Sequence, residues 1–396
     1  MRAGLELLGR LPEGTERDRE EIPAQLVLGT CLTYLEGGGD NAERAYQRAL
    51  ELGERVGDSA SVFRALLGLH ATKDLAGQLE QSCEWSKRLL ELAERLNDPV
   101  MLSEACYWRA TNAYLTGDLE SARRLVERAI AIRERLPAGT RFYYRDPLGH
   151  CQTLLAQMLC LLGFPDQALK LCERASSPPW GSLLADVNDW LLSLALAYML
   201  IGDWRQVLEL SGKIIQSASR LGQLLQLDHA RKFRGWALTV EGRIEEGLSE
   251  LNSGLSFGGV STDLVPFWLI NLAQAQGQMG KPDEGLSIVD KLLADRSAQW
   301  ILARALRVKG ELILAKDPAA TKQAEESCRM AIAHARQCGA KWFELEGAIS
   351  LARLLKEHDR RDEARAMLAE IYNWFTEGFD TADLKDTKAL LDELNA

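Results

Sequence analysis

Residues 99–136 read PVMLSEACYWRATNAYLTGDLESARRLVERAIAIRERL, and this stretch decides the fold. Pro99 stands where a helix can begin, because its missing N–H would have no partner in the first turn. Asp98 ahead of it can cap that turn. Apolar and small residues then run at helical spacing to Thr116, where Gly117 interrupts them. Glycine supplies the left-handed backbone on which a helix ends, and the following Asp118 can cap the next helix. A second amphipathic run occupies 119–136. The unit is therefore a helix A over 99–116, a glycine turn, and a helix B over 119–136.

This unit recurs. Gly37, Gly77, Gly117, Gly163, Gly202, Gly242 and Gly280 are spaced 40, 40, 46, 39, 40 and 38 residues apart, and Ala319 and Asp359 continue the count where the glycine is lost. A period of about 40 residues with helical sequence on both sides of each turn marks an α-solenoid of helix pairs. Small residues keep the same phase. Helix A carries Ala110, Ala156, Ala195, Gly235 and Ala273 seven residues before the turn. Helix B carries Ala42/Ala49, Ala122/Ala129, Ala168/Ala175, Gly247/Gly254 and Ala324/Ala331. Seven residues are two helical turns, so both members of a pair share a face and let A and B approach closely. This is the packing pattern of tetratricopeptide repeats. The expected fold is all-α, a right-handed α–α superhelix of about nine helix pairs plus a C-terminal capping helix. The chain reads as a single solenoid over 1–396: a helix remnant at 1–15 with Leu5, Leu7 and Leu8, repeats over 16–380, and the cap over 381–396.

Proline placement agrees: Pro23, Pro99, Pro147, Pro165, Pro266, Pro282 and Pro318 fall where helices should start, and Asp98, Asp146 and Asp317 precede three of them as N-caps. Two loops break the period. One, over 137–146, holds Phe142, Tyr143 and Tyr144; the other, over 176–182, holds Trp180. Aromatic loops on a solenoid can bind partners; the plainer reading is that Tyr143 and Trp180 plug gaps between repeats.

Composition narrows the function. Lys and Arg number 47 against 57 Asp and Glu, a formal charge of −10, so the counterion release that drives nucleic-acid binding is missing. The eight cysteines form no C-x-x-C pair and sit mostly on apolar helix faces, which suits a reducing cytoplasm. The start of the chain has no apolar run of signal-peptide length. The longest apolar stretch, 190–201, is too short for a membrane span.

The segments EIYNWFTEGFDTADLKDTKALLDEL (370–394), LELLGRLPEGTERDREEIPAQLVLGTCL (5–32), GFPDQAL (163–169) and RGWALTVEGRIEEGLSEL (234–251) resemble the tetratricopeptide region of bacterial STAND-type predicted ATPases, often fused to class III adenylate or guanylate cyclases. The resemblance implies a sensor or partner-binding array, with an NTPase or cyclase as the partner domain. The chain itself has no G-x-x-x-x-G-K-[ST] phosphate loop, no H-E-x-x-H and no G-x-S-x-G elbow. His334 and Cys338 are four residues apart, but a metal needs more converging ligands. The reading is a non-catalytic binding module without metal or cofactor.

Its ligand face is expected on helix A, where positions six and three before the small residue, and one and four after it, point inward. These are Tyr107 and Tyr114 in the third repeat, Gln157 in the fourth, His229, Lys232 and Trp236 in the sixth, Phe267 and Gln274 in the seventh, and Arg304 and Arg307 in the eighth. His229, Lys232, Trp236, Phe267, Arg304 and Arg307 make a basic and aromatic patch, of residue types that anchor interfaces. It is expected to take a protein or an acidic peptide; a metabolite held in the lumen and self-association through the N-terminal end are the alternatives.

Overall fold

A computed structural model describes Pro12 and residues 14–36, 39–137, 139–143, 148–175, 184–253, 265–294 and 299–395. Among them are nineteen α-helices, one short 3₁₀ turn at Gln299–Ile301, and no strand. The helices come in the expected pairs. They are α1 (Thr15–Glu36) with α2 (Asp40–Val56), α3 (Ser59–Leu75) with α4 (Leu79–Leu96), and α5 (Pro99–Leu115) with α6 (Leu119–Arg133). Next come α7 (Leu148–Leu161) with α8 (Pro165–Ala175), α9 (Leu184–Ile201) with α10 (Trp204–Leu221), and α11 (Leu224–Glu241) with α12 (Ile244–Ser253). The last pairs are α13 (Val265–Gln278) with α14 (Pro282–Ala294), α15 (Leu302–Lys316) with α16 (Thr321–Cys338), and α17 (Lys341–Glu357) with α18 (Arg361–Tyr372). One further helix, α19 (Ala382–Asn395), caps the series.

The turns carry the geometry that glycine was expected to provide. Gly77, Gly117, Gly163, Gly202, Gly242 and Gly280 have φ between +69 and +96°, and Asp359 adopts the same region at +58° without being glycine. Gly37 lies outside the described residues. Asp98 caps α5 by accepting from Val100 N–H and Met101 N–H at 2.9 Å each, and Asp118 accepts from Ser121 N–H at 3.1 Å. Two proline expectations are corrected. Pro23 sits inside α1, because the polar stretch ahead of it, with Glu16 and Asp18 in the first turn, already begins the helix. Pro318 lies in the turn between α15 and α16, where Asp317 accepts from Ala319 N–H at 2.9 Å instead of capping α16. Asp146 and Pro147 lie outside the described residues.

The small-residue pattern is the A–B contact. Ala42, Ala49, Ala110, Ala122, Ala129, Ala156, Ala168, Ala195, Ala273, Ala324 and Ala331 have no exposed surface. Where glycine takes one of these places there is no room for even a methyl group. A methyl on Gly235 would lie 2.8 Å from the Gly247 carbonyl oxygen and 2.9 Å from Leu251 Cγ, and one on Gly285 would lie 2.7 Å from the Ala273 carbonyl oxygen. Gly254 lies outside the described residues.

The chain forms two compact units, one over Met1–Ala113 and Arg124–Pro147, the other over Tyr114–Arg123, Leu148–Phe257 and Val265–Ala396. In the first unit the core gathers Ile22, Leu26, Tyr46, Phe63, Leu66, Leu89 and Met101. The Tyr46 ring lies against both Gly29 of α1 and Gly68 of α3, leaving no room for a side chain at either. Tyr143 packs on Phe63 with ring centroids 5.2 Å apart, and its backbone N–H donates to Glu104 at 2.5 Å. Arg133 covers the Phe142 ring. Phe142 and Tyr143 of this loop thus plug their unit; Tyr144, Trp180 and Leu5, Leu7 and Leu8 lie outside the described residues.

In the second unit the chain returns on itself after five repeats. Tyr114 lies against Trp300 with ring centroids 4.9 Å apart, and Gly117 abuts Cys338. Phe164 meets Trp374 at 5.9 Å, and α7 packs on α17. Glu377 closes this seam by accepting from the backbone N–H groups of Asp166 and Gln167, at 3.0 and 3.1 Å, at the start of α8. Gln167 Nε2 donates to its second oxygen at 3.0 Å. A carboxylate there satisfies free helix N–H groups and the positive end of the helix dipole. Gly378 N–H returns a bond to Asp166 at 3.2 Å.

Candidate functional site

In the second unit α11, α13, α15 and α17 pack in succession, with α19 against α17; theirs is the face expected to point inward. On α11, Asp228 and Lys232 are one turn apart, face the same side, and pair at 2.6 Å with 4 and 2% of their side chains exposed. His229 is buried next to them, 6.5 Å from the Trp268 ring. Burial, followed by the positive charge of Lys232, pushes its pKa down to about 3, so the imidazole is neutral. On α13, Phe267 is fully buried and stacks on Trp300, centroids 5.8 Å apart and 15° between planes. Arg304 sits over its outer face at 5.6 Å.

Around Arg304 lies a second concentration of charge. Arg307 Nη1 donates to Glu311 at 2.5 Å, and Ser350 Oγ donates to the same carboxylate oxygen at 2.9 Å. Glu346 Oε2 stands 3.6 Å from Arg304 Nε and 3.4 Å from Arg307 Nε. Those separations are ion pairs, not hydrogen bonds, and both Nε groups and that oxygen are buried without a hydrogen-bond partner. Burial works against the Arg307 charge, but Glu311 and Glu346 outweigh it and hold the group above its ordinary range. From α19, Asp383 completes the cluster. Desolvation, then repulsion from Glu346, lifts its carboxyl to about 6 against the pull of Arg304 and Arg307.

Of the expected ligand residues, the structure brings Phe267, Arg304 and Arg307 together here. His229, Lys232 and Trp236 lie on the neighbouring α11 as buried side chains with 4, 2 and 6% exposure. The expectation of a free basic patch is corrected on this point: Lys232 is spent on Asp228, and both arginines share Glu346. Gln157 is also used structurally, donating to the Ser193 carbonyl at 3.0 Å from one repeat to the next. Tyr114 is buried against Trp300, Gln274 is half-buried, and Tyr107 belongs to the first unit, set edge-on to Trp108. Sequence reasoning missed Glu346 and Asp383. The first had a signal, since the helix A register carried to α17 with Ala352 as its small residue points six back to Glu346. Asp383 lies on a helix that has no such register.

The sequence matches the tetratricopeptide repeat family model over residues 103–128, the helix A–turn–helix B stretch on which the fold was read. No curated protein matches the sequence. Among solved structures, Rap protein complexed with Competence and Sporulation Factor is 13% identical, with a TM-score of 0.58 over 95% of this chain and 99% of that one. NprR in complex with its cognate peptide NprX is 11% identical, with a TM-score of 0.52 over 96 and 99%. The chain is a tetratricopeptide-like array. A signal transduction ATPase with a tetratricopeptide repeat sensor, from Pyrococcus horikoshii, is 16% identical with a TM-score of 0.48. The array aligns over 95% of its own length there and spans about half, 54%, of that chain. The likeness to Rap protein and NprR shows the fold of the array and nothing finer.

No described helix is long and apolar enough to cross a membrane. On this face, among the described residues, paired charges with unused hydrogen-bonding atoms stand beside an aromatic stack.

Proposed function

We propose that the array is a non-catalytic module that binds a peptide on the inner face of its second unit. The observation that carries this reading is the cluster of Arg304, Arg307 and Glu346, whose buried Nε and Oε2 atoms lack hydrogen-bond partners beside the Phe267–Trp300 stack. Buried polar atoms are ordinarily satisfied, and an extended backbone offers both donors and acceptors at such a place. Support also comes from Rap protein and NprR, which share the fold and are described with a peptide or factor bound. In a signalling protein of the STAND or cyclase type the array would act as the cytoplasmic sensor. Binding would bias an attached ATPase only if the ligand favours one conformation of the array over another.

The test is a thermal-shift screen of the full chain against a pentapeptide library of mixed sequence. A ligand at one hundred times its Kd adds about 2.7 kcal/mol to stability, which a melting curve resolves. Hits should lose at least ten-fold in affinity with Arg304→Ala, which removes one wall of the cluster and the cap over Phe267. Equal binding by a folded Arg304→Ala chain would place the peptide elsewhere.

A further inference from the structure

The inner cluster does not present the charge that its arginines suggest. It holds two guanidinium groups, Arg304 and Arg307, and three carboxylates, Glu311, Glu346 and Asp383. Exposure divides the cluster. The side chains of Arg304, Arg307 and Glu346 are 12, 10 and 13% exposed, whereas that of Glu311 is 37% exposed. Asp383 is reached by solvent although protein crowds it. Lys232, the other cation of this face, is 2% exposed and held by Asp228. The positive charges therefore lie deep and the approachable ones are negative.

The pairing is uneven as well. Glu311 is bonded to Arg307 and Ser350. Glu346 stands between both guanidinium Nε atoms. Asp383 feels Arg304 and Arg307 only at longer range, with no hydrogen bond to its carboxylate among the described residues; Thr387 Oγ1 donates to its backbone carbonyl at 2.7 Å. Its neighbour one turn on, Asp386, has its own partner in Arg353 at 3.5 Å. One carboxylate in the cluster thus lacks a cation. An anionic ligand would set four negative charges against two positive ones in a poorly solvated place, where unpaired charge is costly. A cationic group would make the count even.

We propose that the cluster takes a basic group of the ligand, a lysine or arginine side chain or a free amino terminus, and that Asp383 is its direct partner. This rests on the peptide-binding reading above and reverses the charge expected from the arginines. Arg307, buried with its Nε unsatisfied beside Glu346, marks the inner wall, at which a ligand carbonyl can accept while the basic group meets Asp383. Glu346 then stays with the arginines and positions them.

The experiment uses the full chain and two matched pentapeptide sets with mixed flanking residues. One set carries a single Lys, a single Arg or a free amino terminus, and the other carries a single Glu or Asp with an acetylated amino terminus; all have amidated C-termini. The basic set should give the stabilising hits, and exchanging the basic residue for Glu should weaken them at least ten-fold. Asp383→Asn should weaken the same hits at least ten-fold, while Asp386→Asn leaves them unchanged. Circular dichroism confirms folding, and Asp383→Ser replaces Asp383→Asn should the latter not fold. Hits confined to the acidic set, or basic hits unaffected by a folded Asp383 variant, overturn the proposal but leave peptide binding standing. Silence from both sets removes the peptide reading itself, and the proposal with it.

Discussion

His70 and His229 show at the scale of single residues what the interior demands of charge. His70 is buried and bonds through Nε2 to Asn112 at 3.0 Å. Burial pushes its pKa down to about 4, against that hydrogen bond, and His229 falls to about 3. The unfolded chain takes up a proton on each near pH 6.5, so stability falls as pH drops through 6.5 and the loss is complete only below the folded values. For His70 this amounts to about 3 kcal/mol, at 1.36 kcal/mol per pKa unit. Asp74 and Asp383, both lifted to about 6 chiefly by burial, work the other way. Their ionised forms cost stability above pH 6, and that cost is relieved as pH falls towards 4. Melting temperature should therefore decline only gently between pH 6.5 and 4. Asp383→Asn should raise it at pH 8 and steepen the decline, and His229→Leu should flatten the decline.

Among the elements, the helix pair is the unit of stability, and a close-packed example is α11 with α12. Gly235→Ala would drive a methyl into the Gly247 carbonyl and Leu251, and overpacking of this kind costs about 1–3 kcal/mol. Gly212, exposed within α10 with nothing near its missing side chain, makes the contrast. Gly212→Ala should stabilise by roughly 0.5–1 kcal/mol. Urea unfolding of the two variants checks both signs. These contacts were legible in the sequence because small residues recur at a fixed distance from the turns, a local rule that each repeat states again. The inner face was less so. The register assigned Phe267, Arg304 and Arg307 to one face, and Arg304 lies over the Phe267 ring there, but a register says which way a side chain points and not what neutralises it. The Asp228–Lys232 spacing, one turn apart on one helix, was the available sign that Lys232 would be paired. Pro23 misled because the acidic turn ahead of it is a stronger start than the proline.

Across the second unit as a whole, the seam closed by Glu377 is the feature that no sequence rule foresaw. Its partners lie 210 and 211 residues away, and a contact made once leaves no periodic trace. Glu377→Ala should cost about 1–2 kcal/mol, the typical worth of a helix cap. Hydrogen exchange should locate the effect, with the amides of Asp166 and Gln167 exchanging faster and those of α11 and α12 unchanged. A uniform rise in exchange would show instead that the seam supports the entire unit.

The seam also bears on how such a protein can change over generations. An open solenoid gains or loses a repeat by duplication or deletion at little cost, because each repeat answers only to its neighbours. In this array the start of α8 must meet the segment after α18, and Tyr114 must meet Trp300. One more helix pair between them would bring the wrong surfaces together. The number of repeats in this part of the chain is therefore fixed by closure, and new specificity has to arise by substitution on the inner face.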